Sequence, residues 1–105
     1  MNLPTVIADL VSAQNSFDSA AYAQCFTDTA IVFDEGKNHT GTAAIQQWID
    51  KANKEYQATM NPVEYSTSNE TLKAEISGTF PGSPAVLKFH FDIIDGKIQY
   101  LKVTG

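Results

Sequence analysis

Three groups of side chains have the types and spacing to do chemistry. Asp34 ends the apolar run Ala30-Ile31-Val32-Phe33 within AIVFDEGKNHTGTAAIQQW, so a short strand carries a carboxylate to its tip, beside the helix that follows. Partial burial of such an acid near Trp48 and Tyr56 disfavours its charged form and raises its pKa, which suits a general base. His90 and Asp92 stand two apart in LKFHFDII and therefore share one face of a strand, as an acid and its orienting partner would. Trp48 and Tyr56, at i and i+8 of a helix, have the bulk to wall a pocket for a planar apolar ligand or to fill a core. Asp34 also has a plain reading, as a turn residue accepting backbone hydrogen bonds in the turn-rich string Asp34-Glu35-Gly36.

Other chemistries find no support in the sequence. His39 lies in the turn before Gly41 and is expected in solvent, and two histidines without clustered donors do not make a metal site. Cys25 is the single cysteine, so no internal disulfide forms, and with no basic partner nearby it reads as a small buried hydrophobe. There is no phosphate-binding glycine loop, Ser-His-Asp set or dinucleotide fingerprint, and no cofactor is expected.

The chain has 105 residues, which suits one domain over 1–105. Twelve acids against seven scattered bases give a net charge of −5, which argues against nucleic acid and anionic membrane as partners because both select a basic face. MNLPTVIADL has no basic leader, and Asp9 interrupts its apolar run well short of the ~20 residues of a membrane span, so a cytoplasmic location is expected.

The elements that must position these residues follow from periodicity. Pro4 opens a helix whose apolar face is Val6, Ile7, Leu10, Val11 and Phe17. Asp18 caps a short second helix in which Tyr22, Cys25 and Phe26 share a side. A polar turn with Gly36 and Gly41 follows the Asp34 strand, and the hydroxyl of Thr42 is expected to cap a third helix from about Ala43 to Tyr56. Its apolar stripe is Ile45, Trp48, Ile49, Ala52 and Tyr56. Beyond Gln57 the period becomes two, with strands near Thr59 to Ser68, Thr71 to Phe80, Ala85 to Ile94 and Lys97 to Val103. Helices first and a meander afterwards give an α+β class with a mostly antiparallel sheet.

A two-residue Asp95-Gly96 turn pairs Ile94 with Lys97 and, counted straight along the strands, sets His90 opposite Leu101 and Phe89 opposite Lys102. One face then carries Lys88, His90, Asp92, Leu101 and Val103, and the other carries Leu87, Phe89, Phe91, Ile93, Ile98 and Tyr100. Both faces hold apolar residues, so a partner subunit is expected over the outer one.

A helix pair, a strand ending in Asp34, a glycine and the A-I-x-x-W helix resemble the SnoaL-like, ketosteroid-isomerase-like branch of the nuclear transport factor 2 superfamily. LPTVIADLVSAQNSFD, KANKEYQ, GTFPGSPAVLKF and IDGKIQYL fit the same pattern in order, so the resemblance spans Leu3 to Thr104. It implies a cystatin-like cone in which three N-terminal helices pack on a curved sheet around a deep pocket, and homodimerisation through the outer sheet face.

The resemblance also implies roles. Asp34 falls on the aspartate that moves a proton between substrate carbons, while Trp48 and Tyr56 border the pocket and Phe80 closes its mouth. Leu10 stands where ketosteroid isomerases carry an oxyanion-binding tyrosine, and the late-strand donor falls on His90 or on Leu87, depending on alignment. Tyr65 is a possible substitute for that tyrosine. Asp92 with His90 is the nearest equivalent of the sheet aspartate of SnoaL-type cyclases, and Leu101, opposite His90, is expected in the pocket wall. The implied activity is a cofactor-independent isomerase or polyketide cyclase acting on a small apolar or carbonyl-containing ligand, with Asp34 and His90 catalytic. The alternative is a non-enzymatic ligand-binding or dimerisation module, or a cavity filled by Phe17, Phe33 and Trp48.

Overall fold

The computed structural model describes residues 1–105 as α1 (Thr5–Asn15), α2 (Ser19–Gln24), β1 (Phe26–Asp34), β2 (Lys37–Thr40), α3 (Thr42–Tyr56), β3 (Thr59–Ser66), β4 (Thr71–Ser77), β5 (Ala85–Ile94) and β6 (Lys97–Thr104). One six-stranded sheet runs β2-β1-β6-β5-β4-β3, with β1 and β6 parallel and every other pair antiparallel. The three helices cover one face of this curved sheet, and the core between them includes Ile7, Leu10, Val32, Ile45, Leu72, Ile98 and Leu101. No helix is long and apolar enough to cross a membrane.

The Asp18 cap forms, its carboxylate accepting from Ala21 N–H at 3.0 Å. Four local expectations are corrected. The third helix does not join the first two at the N-terminus but follows the hairpin β1–β2. Its N-cap is Gly41, with no side-chain cap bond, and Thr42 is already helical. Strand β2 replaces the expected polar turn, because Glu35 and Gly36 both adopt positive φ (51° and 76°), the geometry of a two-residue hairpin turn that matches strand twist. Phe17 lies past the end of α1, 45% exposed, and takes no part in the core.

The last hairpin departs from straight register. Ile94 pairs with Lys97 and Ile93 with Ile98, but Asp92 then pairs with Tyr100, so Gln99 is an extra residue. Gln99 bonds sideways to β1, accepting from Thr27 Oγ1 at 2.6 Å and donating to the Thr29 carbonyl O at 3.3 Å. The bulge shifts the rest of β6 by one, pairing Phe91 with Leu101, Phe89 with Val103 and His90 with Lys102. Leu101 and Val103 therefore join Phe89 and Phe91 on the inner face. The outer face of the hairpin carries Lys88, His90, Asp92, Tyr100, Lys102 and Thr104 together with Val86 and Ile94, which are 51% and 48% exposed, so Leu101 and Val103 do not contribute to the apolar area expected there but Val86 and Ile94 do. Ile31 and Phe33 of β1, beside Tyr100, add to that apolar area, with Lys102 Nζ 5.7 Å from the Phe33 ring centroid.

Candidate functional site

A mostly apolar cavity of about 510 Å³ lies between the helices and the sheet, and every helix and every strand except β2 contributes a side chain to it. A shallower depression of about 750 Å³ between α1, α2 and the β5–β6 turn is more polar. Cys25 borders that depression, and burial pushes its thiol up to about 11, which leaves it protonated and unreactive at neutral pH.

Strand parity sets Asp34 in the cavity. Ala30 and Val32 are fully buried on the inner face of β1, and Asp34 is the next residue with that orientation, at the point where the hairpin turn begins. Its carboxyl is half-buried and raised above its ordinary range, by burial first and then by the charge of Glu35, against a backbone hydrogen bond from Glu35 and the nearby His39, which lower it. The folded chain therefore holds this proton more tightly than the unfolded chain. That contribution to stability is complete below the ordinary value of 3.8 and is lost as pH rises through the raised value. Asp34→Asn cannot ionise, so it is expected to melt above the parent at neutral pH and together with it in acid below that range. Thermal unfolding at the two pH values checks this, and equal melting at neutral pH would mean that Asp34 ionises without cost.

The helix α3 supplies one wall. Trp48, Ala52 and Tyr56, spaced four apart, all line the cavity with Asp34. Trp48 is held by Tyr22 edge-on at 6.2 Å, and His39 stacks on it at 5.2 Å and 25°, so His39 is half-buried where solvent was expected. Tyr56 meets Phe80 at 6.2 Å and 90°, and this pair stands between the end of α3 and the loop after β4. That loop is tied to the helix by Thr79, whose N–H donates to the Tyr56 carbonyl at 2.7 Å and whose hydroxyl donates to the Glu55 and Tyr56 carbonyls at 3.1 Å.

Gly78 permits this approach, because a Cβ there would stand 2.5 Å from the Tyr56 carbonyl O and 3.1 Å from Ala58 Cα. Gly78→Ala must push backbone apart at the Tyr56–Phe80 wall, with an expected loss of about 2 kcal/mol in stability. Urea unfolding reads that loss, and an unchanged midpoint would show that the loop yields freely.

The structure brings Asp34, Trp48, Tyr56 and Phe80 together and separates His90 and Leu101 from them. His90 points from the outer sheet face, its Nδ1 3.4 Å from Thr71 Oγ1 and its Nε2 2.9 Å from Thr104 Oγ1, in a shallow polar depression with Lys73 and Lys88. Asp92 lies exposed on that same face. Leu101 is on the inner side but fully buried in the core, short of the cavity. Phe33 faces outward, so of the three aromatics considered as fillers only Trp48 reaches the cavity. Leu87, the other alignment for a late-strand donor, does line the cavity and brings no polar group.

Four polar contributors were not read from the sequence as site residues, the first being Glu35 at the rim beside Asp34. Tyr22 of α2 lines the cavity, and its phenol is raised strongly, by burial first and then by the charge of Asp34, so it stays protonated at neutral pH. Its hydroxyl has no hydrogen-bond partner in the protein, yet no side-chain N or O is sealed away unsatisfied, so the hydroxyl opens onto the cavity. Tyr65 packs against the core from β3 and does not line the cavity. Gln14 and Asn53, the only polar residues in the buried core, also border the cavity. A tyrosine within an otherwise small-residue helix, and an amide on the inward stripe of α3, were the available signals.

No family model matches the chain, and a comparison with curated proteins finds no match. Solved structures do match. A candidate polyketide cyclase from Sinorhizobium meliloti is 34% identical, with 97% of this chain and 95% of that one covered and a TM-score of 0.90. A Catenulispora acidiphila protein with a ketosteroid isomerase-like fold, in complex with trimethylamine, is 15% identical, with coverages of 99% and 87% and a TM-score of 0.79. SalBIII, an epoxide hydrolase/cyclase-like enzyme in pyran ring formation in salinomycin, is 23% identical, with coverages of 93% and 85% and a TM-score of 0.68. The last two carry the fold alone, whereas the first combines full-length coverage with sequence identity. By that relationship and by its three helices on a curved six-stranded sheet, this chain belongs to the SnoaL-like, ketosteroid-isomerase-like branch of the nuclear transport factor 2-like superfamily.

Proposed function

We propose that the chain binds an apolar carbonyl compound in the 510 Å³ cavity and moves a proton between its carbons through Asp34, as a cofactor-independent isomerase or cyclase. The observation that carries this reading is a carboxyl with raised proton affinity at the wall of a cavity otherwise lined mainly by hydrocarbon and aromatic side chains. The Asp34 carboxylate takes a proton from the carbon beside the carbonyl, and the C–H electron pair moves into an enolate whose charge rests on oxygen. Asp34-H then returns the proton to the same or a conjugated carbon, so no net charge or oxidant is needed. Trp48 and Tyr56 hold the flat body of the substrate, and Phe80 shields it from water. Tyr22 keeps its proton and can donate to the enolate oxygen, the task for which α1 offers only Leu10.

Deuterium exchange tests the first half of this reaction without knowledge of the product. 2-Tetralone in D₂O, followed by proton NMR, is expected to lose its α-hydrogens faster with the protein than with buffer alone. No acceleration of exchange would remove the enzymatic reading. A second reading, a ligand-holding module without turnover, is favoured by the position of His90 outside the cavity, which leaves the late strands without an oxyanion donor. Binding of 2-tetralone with no exchange would select it.

A further inference from the structure

Gln14 on α1 and Asn53 on α3 are 7% and 8% exposed, and their hydrogen bonds determine which way each amide points. Gln14 Nε2 donates to the Ala58 carbonyl O at 2.7 Å and to Asn53 Oδ1 at 3.0 Å. A backbone carbonyl only accepts, so the Gln14 atom facing Ala58 is its nitrogen. The second hydrogen of that NH₂ then needs an acceptor, so the Asn53 atom facing it is oxygen. The Asn53 NH₂ and Gln14 Oε1 are thereby turned the other way. Neither has a partner in the protein, and neither is sealed from solvent, since no buried side-chain N or O lacks a hydrogen bond. The space that both residues border is the cavity.

An asparagine in the interior of α3 is also a poor helix former, and an apolar residue there would continue the stripe of Ile49 and Ala52. The fold thus holds an oriented, unpaired amide donor in an apolar cavity. Such a donor is costly to leave unmade once a ligand displaces water from it.

We propose that Asn53 Nδ2 is a ligand-binding donor that receives a carbonyl oxygen, so that the cavity selects apolar ketones over hydrocarbons of the same shape. Gln14 is its positioning residue, holding the amide so that N–H rather than C=O faces the ligand. This inference rests on the reading of the cavity as a ligand site, but it does not depend on proton transfer by Asp34.

The test is an NMR titration of ¹⁵N-labelled protein with 2-tetralone and, separately, with its hydrocarbon analogue tetralin. 2-Tetralone is expected to bind about tenfold tighter than tetralin and to move the Asn53 side-chain NH₂ signals, which tetralin leaves in place. Asn53→Asp, titrated above neutral pH, keeps the oxygen that accepts from Gln14 and replaces only the outward NH₂. It is expected to weaken 2-tetralone by about tenfold and leave tetralin binding unchanged.

Equal affinity of the parent for the two compounds overturns the inference, and so does an Asn53→Asp variant that binds 2-tetralone as the parent does. Should that variant fold poorly, the parent's amide signals decide, since a ketone that binds without moving them does not meet Asn53. Tetralin binding without ketone preference overturns this inference alone, whereas failure of both compounds to bind removes the ligand-site reading with it.

Discussion

Asp34→Asn is expected to slow α-hydrogen exchange of 2-tetralone by about 10²- to 10⁴-fold, the range over which a positioned general base accelerates proton transfer. The amide keeps the shape of the side chain and can still accept the backbone hydrogen bond from Glu35, but it cannot take a proton from carbon. Two features make the loss assignable to chemistry. The substitution removes a carboxyl whose ionisation opposes folding, so the variant is expected to be folded and at least as stable as the parent at neutral pH. Trp48 and Tyr56 remain in place, so the affinity for tetralin should not change. Wild-type exchange rates in a folded Asp34→Asn protein would take Asp34 out of the mechanism. The remaining candidates would then be Glu35, which also borders the cavity, or solvent hydroxide. The pH profile adds a second view, because exchange should rise as Asp34 deprotonates, above the usual carboxylate range.

Leu101→Ala is expected to cost about 3 kcal/mol of stability and roughly 15 °C in Tm, while 2-tetralone exchange in the folded protein stays unchanged. Leu101 has no exposed surface and no position in the cavity wall. It lies on the inner face, paired across β6 with Phe91 and with Val32 of β1, so truncation leaves a void among residues that strands on both sides hold in place. The partial collapse of such voids sets the spread of about 2–5 kcal/mol seen for this type of substitution. Were Leu101 a ligand contact, as straight register implies, truncation would instead weaken ketone binding with little effect on unfolding. Urea denaturation and ketone titration of the one variant therefore separate the bulged register from the straight one.

That contrast marks where sequence information ends. The order of elements, the Asp18 cap, the Asp95-Gly96 turn and the stripe Trp48-Ala52-Tyr56 depend on residues within a few positions of one another. Their chemistry was legible in the chain, and so was Asp34 as the strand-end acid. Strand β2 escaped the sequence reading, although Glu35-Gly36-Lys37 repeats the pattern of Asp95-Gly96-Lys97 and both pairs adopt the same left-handed turn. Its shortness and polarity concealed it.

The bulge was not legible. The partners that hold Gln99 out of register are Thr27 and Thr29, about 70 residues away along the chain, and nothing in the hairpin's own sequence names them. One residue of slip reverses which side chains face inward, and this alone moved Leu101 and Val103 from the outer face of the hairpin to the inner one. His90 stands on the outer face because it alternates with Phe89 and Phe91, and the sheet's inner side is set by where the helices pack.

The sequence by itself determined most of the elements and the acid at the end of its strand, since periodicity, turn propensity and capping are local, and the order of its motifs carried the resemblance to the family. Tertiary structure alone decided the polar complement of the cavity. Tyr22 comes from α2, Gln14 from α1 and Asn53 from α3, the last two 39 residues apart. Whether a hydroxyl or an amide is spent on the protein or left for a ligand depends on which distant carbonyl reaches it first. Here the Ala58 carbonyl orients Gln14, and Gln14 orients Asn53.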